Sequence, residues 1–280
     1  MEFAEYLRDI PRFHSWDGGV TWNSGGFSPG ALKTLHGFLH ARLPPRPTLL
    51  ETGAGNSTVM MLFLSPAKII SIEPDAQLFE RIRQFCELNA ISYDALESHP
   101  EGSQWVLPQL AADNRRFEPL LDFALIDGCH GWPTCLVDLG YAHAMLKPGG
   151  YLLIDDTQLH SVKEMARFLT EQPGFCLALD LGKSLVFQKL TAERDFGEWE
   201  RQPYIVRRTQ QYLRSPNRYA LLDDSLFART ADIFVRGPLA GLRAPLLWVG
   251  RRLPQQLGQR LKKSSWYRRL FEGVHGCRPE

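Results

Sequence analysis

Between residues 48 and 190, short apolar runs alternate with amphipathic segments, and this alternation constrains the fold more than any other feature of the sequence. The runs are apolar throughout, which is typical of parallel strands that helices cover on both faces. Strands are predicted at 48–52, 68–73, 91–97, 121–126, 151–154, 175–181 and 184–190. Helices are predicted at 75–89, 103–113, 133–146 and 161–172, with another after the first strand that ends near Leu64.

The last two predicted strands are joined by a tight turn at Gly182-Lys183, so one of them runs against the others. We therefore predict an α/β fold with a doubly wound, mostly parallel sheet, a reversed terminal strand and a mainly helical C-terminal extension. The predicted domains are an N-terminal helical cap with a substrate loop (1–47), the sheet domain (48–190) and the extension (191–280). In the cap, Ser28 and Pro29 are typical of a helix start.

The net charge of +1 hides a strong asymmetry along the chain. Residues 1–200 carry a net charge of −10 and residues 201–280 a net charge of +11. The acidic segment excludes general DNA binding by charge. Two interpretations of the basic segment stay open: an accessory region with a solvated or domain-paired face, and peripheral contact with an anionic membrane surface. An RNA contact is disfavoured because aromatic stacking motifs are not evident.

The sequence also bears on localisation. We expect no secretory leader and no membrane span, because the N-terminus is acidic and no apolar run reaches about 18 residues. The five cysteines are odd in number and never spaced C-x-x-C, which indicates reduced thiols and neither a zinc site nor a disulfide framework. These features predict a cytoplasmic protein, with the basic extension as the region that would reach a membrane.

A glycine-rich turn follows the first predicted strand and carries the sequence Glu51-Thr52-Gly53-Ala54-Gly55-Asn56-Ser57-Thr58. Such a turn lets a ligand approach backbone N–H groups at the carboxyl ends of the strands. Thr58 stands where dinucleotide-binding motifs have a third glycine, which favours an amino-acid-like cofactor over a pyrophosphate. Glu73 ends the second strand and is placed to accept both ribose hydroxyls, whereas Asp75 suits a helix-capping role.

Three carboxylates follow neighbouring strands at the same predicted edge: Asp127, Asp155 and Asp156. Like charges this close need a cation or a proton to offset them. In one interpretation, the oxygen atoms of these carboxylates bind Mg²⁺ or Ca²⁺. In the other, one Asp caps a helix, another binds the amine of the cofactor, and the site contains no metal. Both alternatives stay open. His130 leaves the same strand as Asp127 and is a candidate general base near neutral pH.

Together these residues resemble the class I S-adenosylmethionine-dependent methyltransferases, in particular the catechol-type O-methyltransferases and their bacterial relatives, which have a Rossmann-like fold. The resemblance covers about 48–190 and rests on the glycine turn, LSPAKIISIEPD (64–75), Gly102-Ser103-Gln104 with WVLPQL (105–110), and LKPGGYLLIDD (146–156). The catechol enzymes have Asn at the position of Asp156 and Lys at the position of His130.

The resemblance implies S-adenosylmethionine as the cofactor and transfer of its sulfonium methyl group to a hydroxyl of a small molecule or glycan. The implied cofactor-binding residues are Glu51, Gly53, Ala54, Gly55, Ser57, Glu73, Ser103, Gln104 and Asp127. The implied catalytic residues are His130 and Asp127, and the implied ligands of a divalent cation are Asp127, Asp155 and Asp156. Two alternatives remain: an NAD-dependent oxidoreductase on a similar sheet, and a non-catalytic cofactor-binding or membrane-associated adaptor.

Overall fold

The computed structural model describes residues 1–214 except Trp16, Gly18 and residues 114–119. The chain divides after Gln202 into residues 1–202 and residues 203–280. The first of these contains the predicted sheet domain together with the N-terminal cap. The three-domain division made from the sequence stays a prediction.

The described strands form one seven-stranded sheet in the order β3-β2-β1-β4-β5-β7-β6. Their bounds are β1 Thr48–Thr52, β2 Lys68–Ile72, β3 Leu96–His99, β4 Leu121–Ile126, β5 Leu146–Ile154, β6 Phe175–Asp180 and β7 Leu185–Lys189. Neighbouring strands from β3 to β5 pair in parallel. The order reverses at β1, whose two neighbours are β2 and β4, so the switch point predicted for a doubly wound sheet lies between β1 and β4.

The reversed strand of the prediction is β7. It pairs antiparallel with both β5 and β6, so it is the last strand among the described residues but lies inside the sheet, and β6 forms the edge. Ile154 at the end of β5 pairs with Leu185 at the start of β7. The turn before β7 therefore reaches the carboxyl edge of the parallel strands. The mostly parallel, Rossmann-like α/β fold with a reversed strand is confirmed.

Helices cover both faces of the sheet. The described helices are α1 Phe3–Tyr6, α2 Pro29–Arg42, α3 Asn56–Leu62, α4 Ala76–Leu88, α5 Ser103–Asp113, α6 Thr134–Met145, α7 His160–Glu171 and α8 Pro203–Arg214. One apolar core contains α1 to α4 with one face of the sheet, and a second contains α5 to α7 with the other. Ser28 caps α2 by accepting a hydrogen bond from the Ala31 N–H, as expected from Ser28-Pro29.

Two strands differ from the sequence prediction by more than one residue at an end. The strand predicted at 91–97 begins only at Leu96, because the chain leaving α4 turns at Ala90 with a φ of 53° and the Ile91 N–H still bonds to the Cys86 carbonyl. The strand predicted at 151–154 begins earlier, at Leu146, which pairs with Leu121 before a register shift. Neither difference changes the order of the elements.

The chain continues to pack on the domain after residue 190. Phe196 stacks on His143 with ring centroids 4.3 Å apart and also contacts Phe168. Arg194 donates to the Ala144 carbonyl at the end of α6. Residues just beyond the predicted boundary therefore help to cover α6 and α7.

Of residues 203–280 the structure describes α8, in which the Arg208 guanidinium lies 3.3 Å from the centre of the Tyr204 ring. The predicted helical extension and its membrane contact otherwise lie outside the described residues. Within the described portion of the chain, no helix is both long and apolar enough to cross a bilayer.

Candidate functional site

A cavity of about 870 Å³ opens at the carboxyl ends of β1, β2 and β4. This is the edge where ligands bind in open α/β sheets. Of the predicted site residues, the cavity is lined by Gly53, Ala54, Glu73, Ser103, Gln104, Asp127, His130 and Asp156. The described lining does not include Glu51, Gly55, Ser57 or Asp155. The structure thus brings most, but not all, of the predicted site together.

Gly53 makes the turn between β1 and the cavity. Its φ is +85°, and a Cβ at this position would lie 2.3 Å from the Asp127 carbonyl oxygen. The Gly53 N–H donates to the Ile72 carbonyl at 2.8 Å, which ties the turn to the end of β2. Only glycine permits both the left-handed backbone and this close approach to the chain after β4.

Glu51 lies beneath the glycine turn and is fully buried. Its carboxylate accepts hydrogen bonds from the hydroxyls of Ser57 at 2.9 Å, Thr58 at 2.5 Å and Ser71 at 2.6 Å. Burial raises the pKa of Glu51 to about 7, although the three hydroxyls oppose this shift. Glu51 and Ser57 therefore support the turn from below.

Thr58 explains how the turn is built without a third glycine. Its hydroxyl donates to Glu51 and accepts from the Gly55 N–H at 2.9 Å. Thr58 therefore replaces the third glycine of the dinucleotide-binding motif with a buried hydroxyl, which links the first turn of α3 to β1.

Asp75 has the helix-capping role expected from the sequence, and the ribose-binding role of Glu73 stays a prediction. Asp75 caps α4 by accepting from the Gln77 N–H at 2.9 Å. Glu73 is partly buried at the cavity wall, and its carboxylate accepts from the Asp75 N–H at 3.0 Å. Arg81, which sequence reasoning missed, also lines the cavity and donates to Asp75 and to the Phe13 carbonyl.

Ser103 and Gln104 begin α5 on the opposite wall. Ser103 is buried, and Gln104 is partly buried and folds back on Gly102, where a Cβ would lie 2.7 Å from its amide. Beneath them lies Asp138 of α6, fully buried and absent from the sequence prediction. Burial raises the pKa of Asp138 more than the nearby hydroxyls of Ser103 and Thr52 lower it. The spacing of residues along the chain offered no signal for Asp138.

The N-terminal segment covers one side of the cavity with His14, Ser15, Ser24, Gly25 and Gly26. Asn23 fixes the segment: its side chain accepts from the Phe13 N–H and donates to the Pro11 carbonyl. Trp22 is not among the described lining residues, and it donates its ring N–H to the Gly19 carbonyl. The backbone and the small side chains of this segment therefore form part of the cavity wall.

At the far end of the cavity, His130 lies between two carboxylates. Its Nε2 is 3.6 Å from Asp127 Oδ1 and 3.8 Å from Asp156 Oδ2. This nitrogen is buried and has no hydrogen-bond partner among the described residues. The contact with Asp127 raises the pKa of His130, and burial offsets some of that effect. Burial in turn raises the pKa of Asp127. The gap between the three side chains suits one small polar group.

Asp155 does not join this cluster. It is fully buried, and one of its oxygens accepts a hydrogen bond from the Ser184 hydroxyl. The other accepts from the Lys183 ammonium at 2.5 Å. Lys183 also donates to Asp156 Oδ1 at 2.9 Å and to the Gly25 carbonyl at 2.5 Å. In the sequence Lys183 was only a hairpin-turn residue, so this site residue was missed.

This geometry tests the metal site that the resemblance implied. The predicted ligand set does not fit a divalent cation, because both Asp155 oxygens are engaged and an ammonium group already bridges Asp155 and Asp156. A different set, Asp127, His130 and Asp156, brings one potential ligand atom from each residue within 4.8 Å of the others. An ion held there would occupy the nitrogen that a general base needs.

The sheet order, the glycine turn and the cavity at the carboxyl edge define the class: a Rossmann-like methyltransferase fold. Residues 50–157 match a protein family described as a methyltransferase domain. This match is consistent with the class I, catechol-type resemblance of the motifs in the same region. No curated protein matches the sequence.

Solved structures with similar folds include two O-methyltransferases and an rRNA methylase. TomG from Streptomyces achromogenes, involved in tomaymycin synthesis and solved with S-adenosylmethionine, is 16% identical, with 60% of this chain and 82% of that chain covered and a TM-score of 0.49. An O-methyltransferase from Bacillus cereus, solved with S-adenosylhomocysteine, is 16% identical, with coverages of 60% and 84% and a TM-score of 0.48. The rRNA methylase from Streptococcus thermophilus is 22% identical, with coverages of 56% and 95% and a TM-score of 0.43.

Proposed function

We propose that this protein is an S-adenosylmethionine-dependent O-methyltransferase whose acceptor is a hydroxyl of a small molecule or glycan. One observation carries the proposal: a single cavity joins the glycine turn and Glu73 at one end to the partnerless Nε2 of His130 at the other. Its volume of about 870 Å³ lies within the range of roughly 300–1,000 Å³ that small-molecule sites occupy. A cofactor and an acceptor would thus meet in one continuous cavity.

The cofactor end fits a nucleoside joined to an amino acid. The backbone of Gly53 and Ala54 would face the amino-acid portion, the Glu73 carboxylate would accept from the ribose hydroxyls, and Ser103 with Gln104 would lie beside the adenine. Gly53 keeps the turn open for this contact, since any Cβ there would meet the Asp127 carbonyl. When bound, the cofactor supplies an electrophilic methyl group on its sulfonium.

At the acceptor end, His130 is the proposed general base. Its Nε2, in the neutral imidazole, would accept the proton of the acceptor hydroxyl, and the flanking carboxylates of Asp127 and Asp156 would stabilise the imidazolium that results. The N-terminal segment would limit access of water and hold the acceptor in line with the methyl group, and such positioning supplies much of the rate in a displacement reaction.

The His130→Ala variant tests this proposal. We expect the rate of methyl transfer from labelled cofactor to a panel of hydroxyl acceptors to fall at least about 100-fold, the usual contribution of a general base. Because His130 lies at the acceptor end, the affinity for S-adenosylhomocysteine measured by calorimetry should change less than about threefold. His160→Ala is the matched control, because His160 is exposed and is not among the described cavity residues. Unchanged transfer by His130→Ala would remove His130 from the mechanism.

Calorimetry of the full chain with S-adenosylhomocysteine and with NAD separates the proposal from its alternatives. Binding of NAD but not of S-adenosylhomocysteine would replace the methyltransferase with an oxidoreductase. Binding of S-adenosylhomocysteine without methyl release to any hydroxyl acceptor would favour a cofactor-binding adaptor.

A further inference from the structure

The Lys183 ammonium occupies a position that the activity proposed above does not account for. It donates to Asp155 at 2.5 Å, to Asp156 at 2.9 Å and to the Gly25 carbonyl at 2.5 Å, so one nitrogen links the end of β5 to the N-terminal segment. It also lies 5.3 Å from the centre of the Phe27 ring, on the same side as Gly25. An ammonium has three protons, and these three acceptors use all of them.

The carboxylates at this edge need a positive charge close by. Asp155 is fully buried, and a buried carboxylate without a paired cation is strongly destabilising. Asp127 and Asp156 add two further carboxylates within reach of His130. In enzymes with such clusters a divalent ion is one way to offset the charge. Here the chain itself provides a cation, at hydrogen-bond distance from two of the three carboxylates.

We propose that the Lys183 ammonium takes the place of a divalent cation in this site, so that the protein binds no such ion at Asp127, Asp155 and Asp156. In this role Lys183 is a positioning residue. It fixes Asp156 through one oxygen and leaves the other facing His130, and through Gly25 it holds the N-terminal segment against the cavity. The proposed base thus stays unligated beside Asp156, whose position the ammonium fixes.

The Lys183 ammonium and a divalent ion would compete for the same carboxylate oxygens. A divalent ion shared by Asp155 and Asp156 would have to lie where the ammonium now lies, because the remaining Asp155 oxygen is bonded to Ser184. An ion held instead by Asp127, His130 and Asp156 would share the Asp156 carboxylate with the ammonium, and the two positive charges would repel each other at short range. Removing the ammonium should therefore create a metal site.

Binding of Mn²⁺ measured by calorimetry and by electron paramagnetic resonance tests this directly, and it needs neither cofactor nor acceptor. The full-length wild type should bind Mn²⁺ no better than Lys163→Gln, a control at an exposed lysine of α7. Lys183→Gln keeps hydrogen-bond donors but loses the charge, and its affinity for Mn²⁺ should rise at least tenfold over the wild type. Lys183→Gln with Asp155→Asn should lose that gain, because the freed carboxylate is then absent.

Two results would overturn the proposal. One is wild-type binding of Mn²⁺ as tight as that of Lys183→Gln and lost in Asp156→Asn, which would put the ion at Asp127, His130 and Asp156. The other is a folded Lys183→Gln, checked by circular dichroism, with no gain in affinity. If Lys183→Gln does not fold, Lys183→Met serves in its place, and the wild-type titration still decides by itself whether an ion binds.

Methyl transfer provides a second readout that rests on the proposed function. The wild type should keep full activity in excess EDTA and gain nothing from added Mg²⁺, whereas Lys183→Gln should lose activity and recover some of it when Mn²⁺ is added. If no methyl transfer is detected, the proposed function is contradicted, but the Mn²⁺ titration still tests the role of Lys183. Loss of wild-type activity in EDTA with rescue by Mg²⁺ would contradict the role of Lys183.

Discussion

Substitution of Gly53 tests how the site is built, because a side chain there would incur two separate energetic costs, one from the left-handed backbone and one from a steric clash. The Gly53→Ala variant must adopt a φ of +85° with a side chain, and its Cβ would lie 2.3 Å from the Asp127 carbonyl oxygen. Gly149 in the loop of β5 has nearly the same φ, +82°, but a Cβ there meets nothing within 4 Å. Gly149→Ala therefore reports the backbone cost alone.

The expected magnitudes follow from these two geometries. A left-handed backbone costs an L-residue roughly 1–2 kcal/mol, which is the whole expected loss for Gly149→Ala. Forcing a methyl group into occupied space adds typically about 1–3 kcal/mol, because the chain after β4 must move to make room. We therefore expect Gly53→Ala to lower the free energy of unfolding by about 2–5 kcal/mol. The difference between the two variants measures the close approach of the turn to Asp127.

Urea unfolding of both variants measures the stability, and calorimetry with S-adenosylhomocysteine measures the site. The affinity should fall at least about tenfold in Gly53→Ala, since either the turn or the Asp127 backbone is displaced, and it should not change in Gly149→Ala. Equal losses of stability in the two variants, or wild-type affinity in Gly53→Ala, would refute the steric argument for this turn.

Two further predictions concern the carboxylates beside the turn. Because burial raises the pKa of Glu51 from 4.5 to about 7, its contribution to stability is fully present below pH 4.5 and is lost as the pH rises through 7. The wild type should therefore lose up to about 3 kcal/mol relative to Glu51→Gln between pH 4.5 and 8 by urea unfolding, and a constant difference would contradict the raised pKa. Glu73→Gln should weaken S-adenosylhomocysteine binding about tenfold by calorimetry, because a charged hydrogen-bond acceptor is lost. As a control, Glu200→Gln, at an exposed residue, should leave the affinity for S-adenosylhomocysteine unchanged. If Glu73→Gln binds S-adenosylhomocysteine as tightly as the wild type, Glu73 is not part of the site.

The order of helices and strands could be predicted because it depends on local patterns. Apolar runs bounded by glycine, proline and capping residues predict elements within a few residues, as Ser103–Asp113 and Leu121–Ile126 illustrate. The strand predicted at 151–154 begins five residues earlier than predicted, and the strand predicted at 91–97 begins five residues later. The apolar residues of the latter complete the turn after α4, and the pairing with β2 begins only at Leu96.

Site residues were predictable where one strand end fixes their position, and less so where contacts between segments decide. Glu73, Asp127 and His130 follow strand ends and line the cavity. Glu51 also belongs to a strand end, but its side chain points beneath the turn into a set of hydroxyls supplied by Ser71 and two residues of α3. Whether a residue faces the cavity or the layer beneath depends on that packing, which motif spacing does not encode.

The position of Lys183 follows from the reversed strand, which was predicted from the sequence, but the sequence analysis did not identify Lys183 as a site residue. In a parallel sheet each strand brings its last residues to the ligand edge. A strand inserted antiparallel brings its first residues there instead, so the pairing of Leu185 with Ile154 places the preceding turn beside Asp155 and Asp156. The tight turn at Gly182-Lys183 and the reversed strand were both evident in the sequence. The need for a cation or a proton to offset the charge of the carboxylates was evident as well. Taken together, they place the lysine of this turn at the edge where the carboxylates of Asp155 and Asp156 lie.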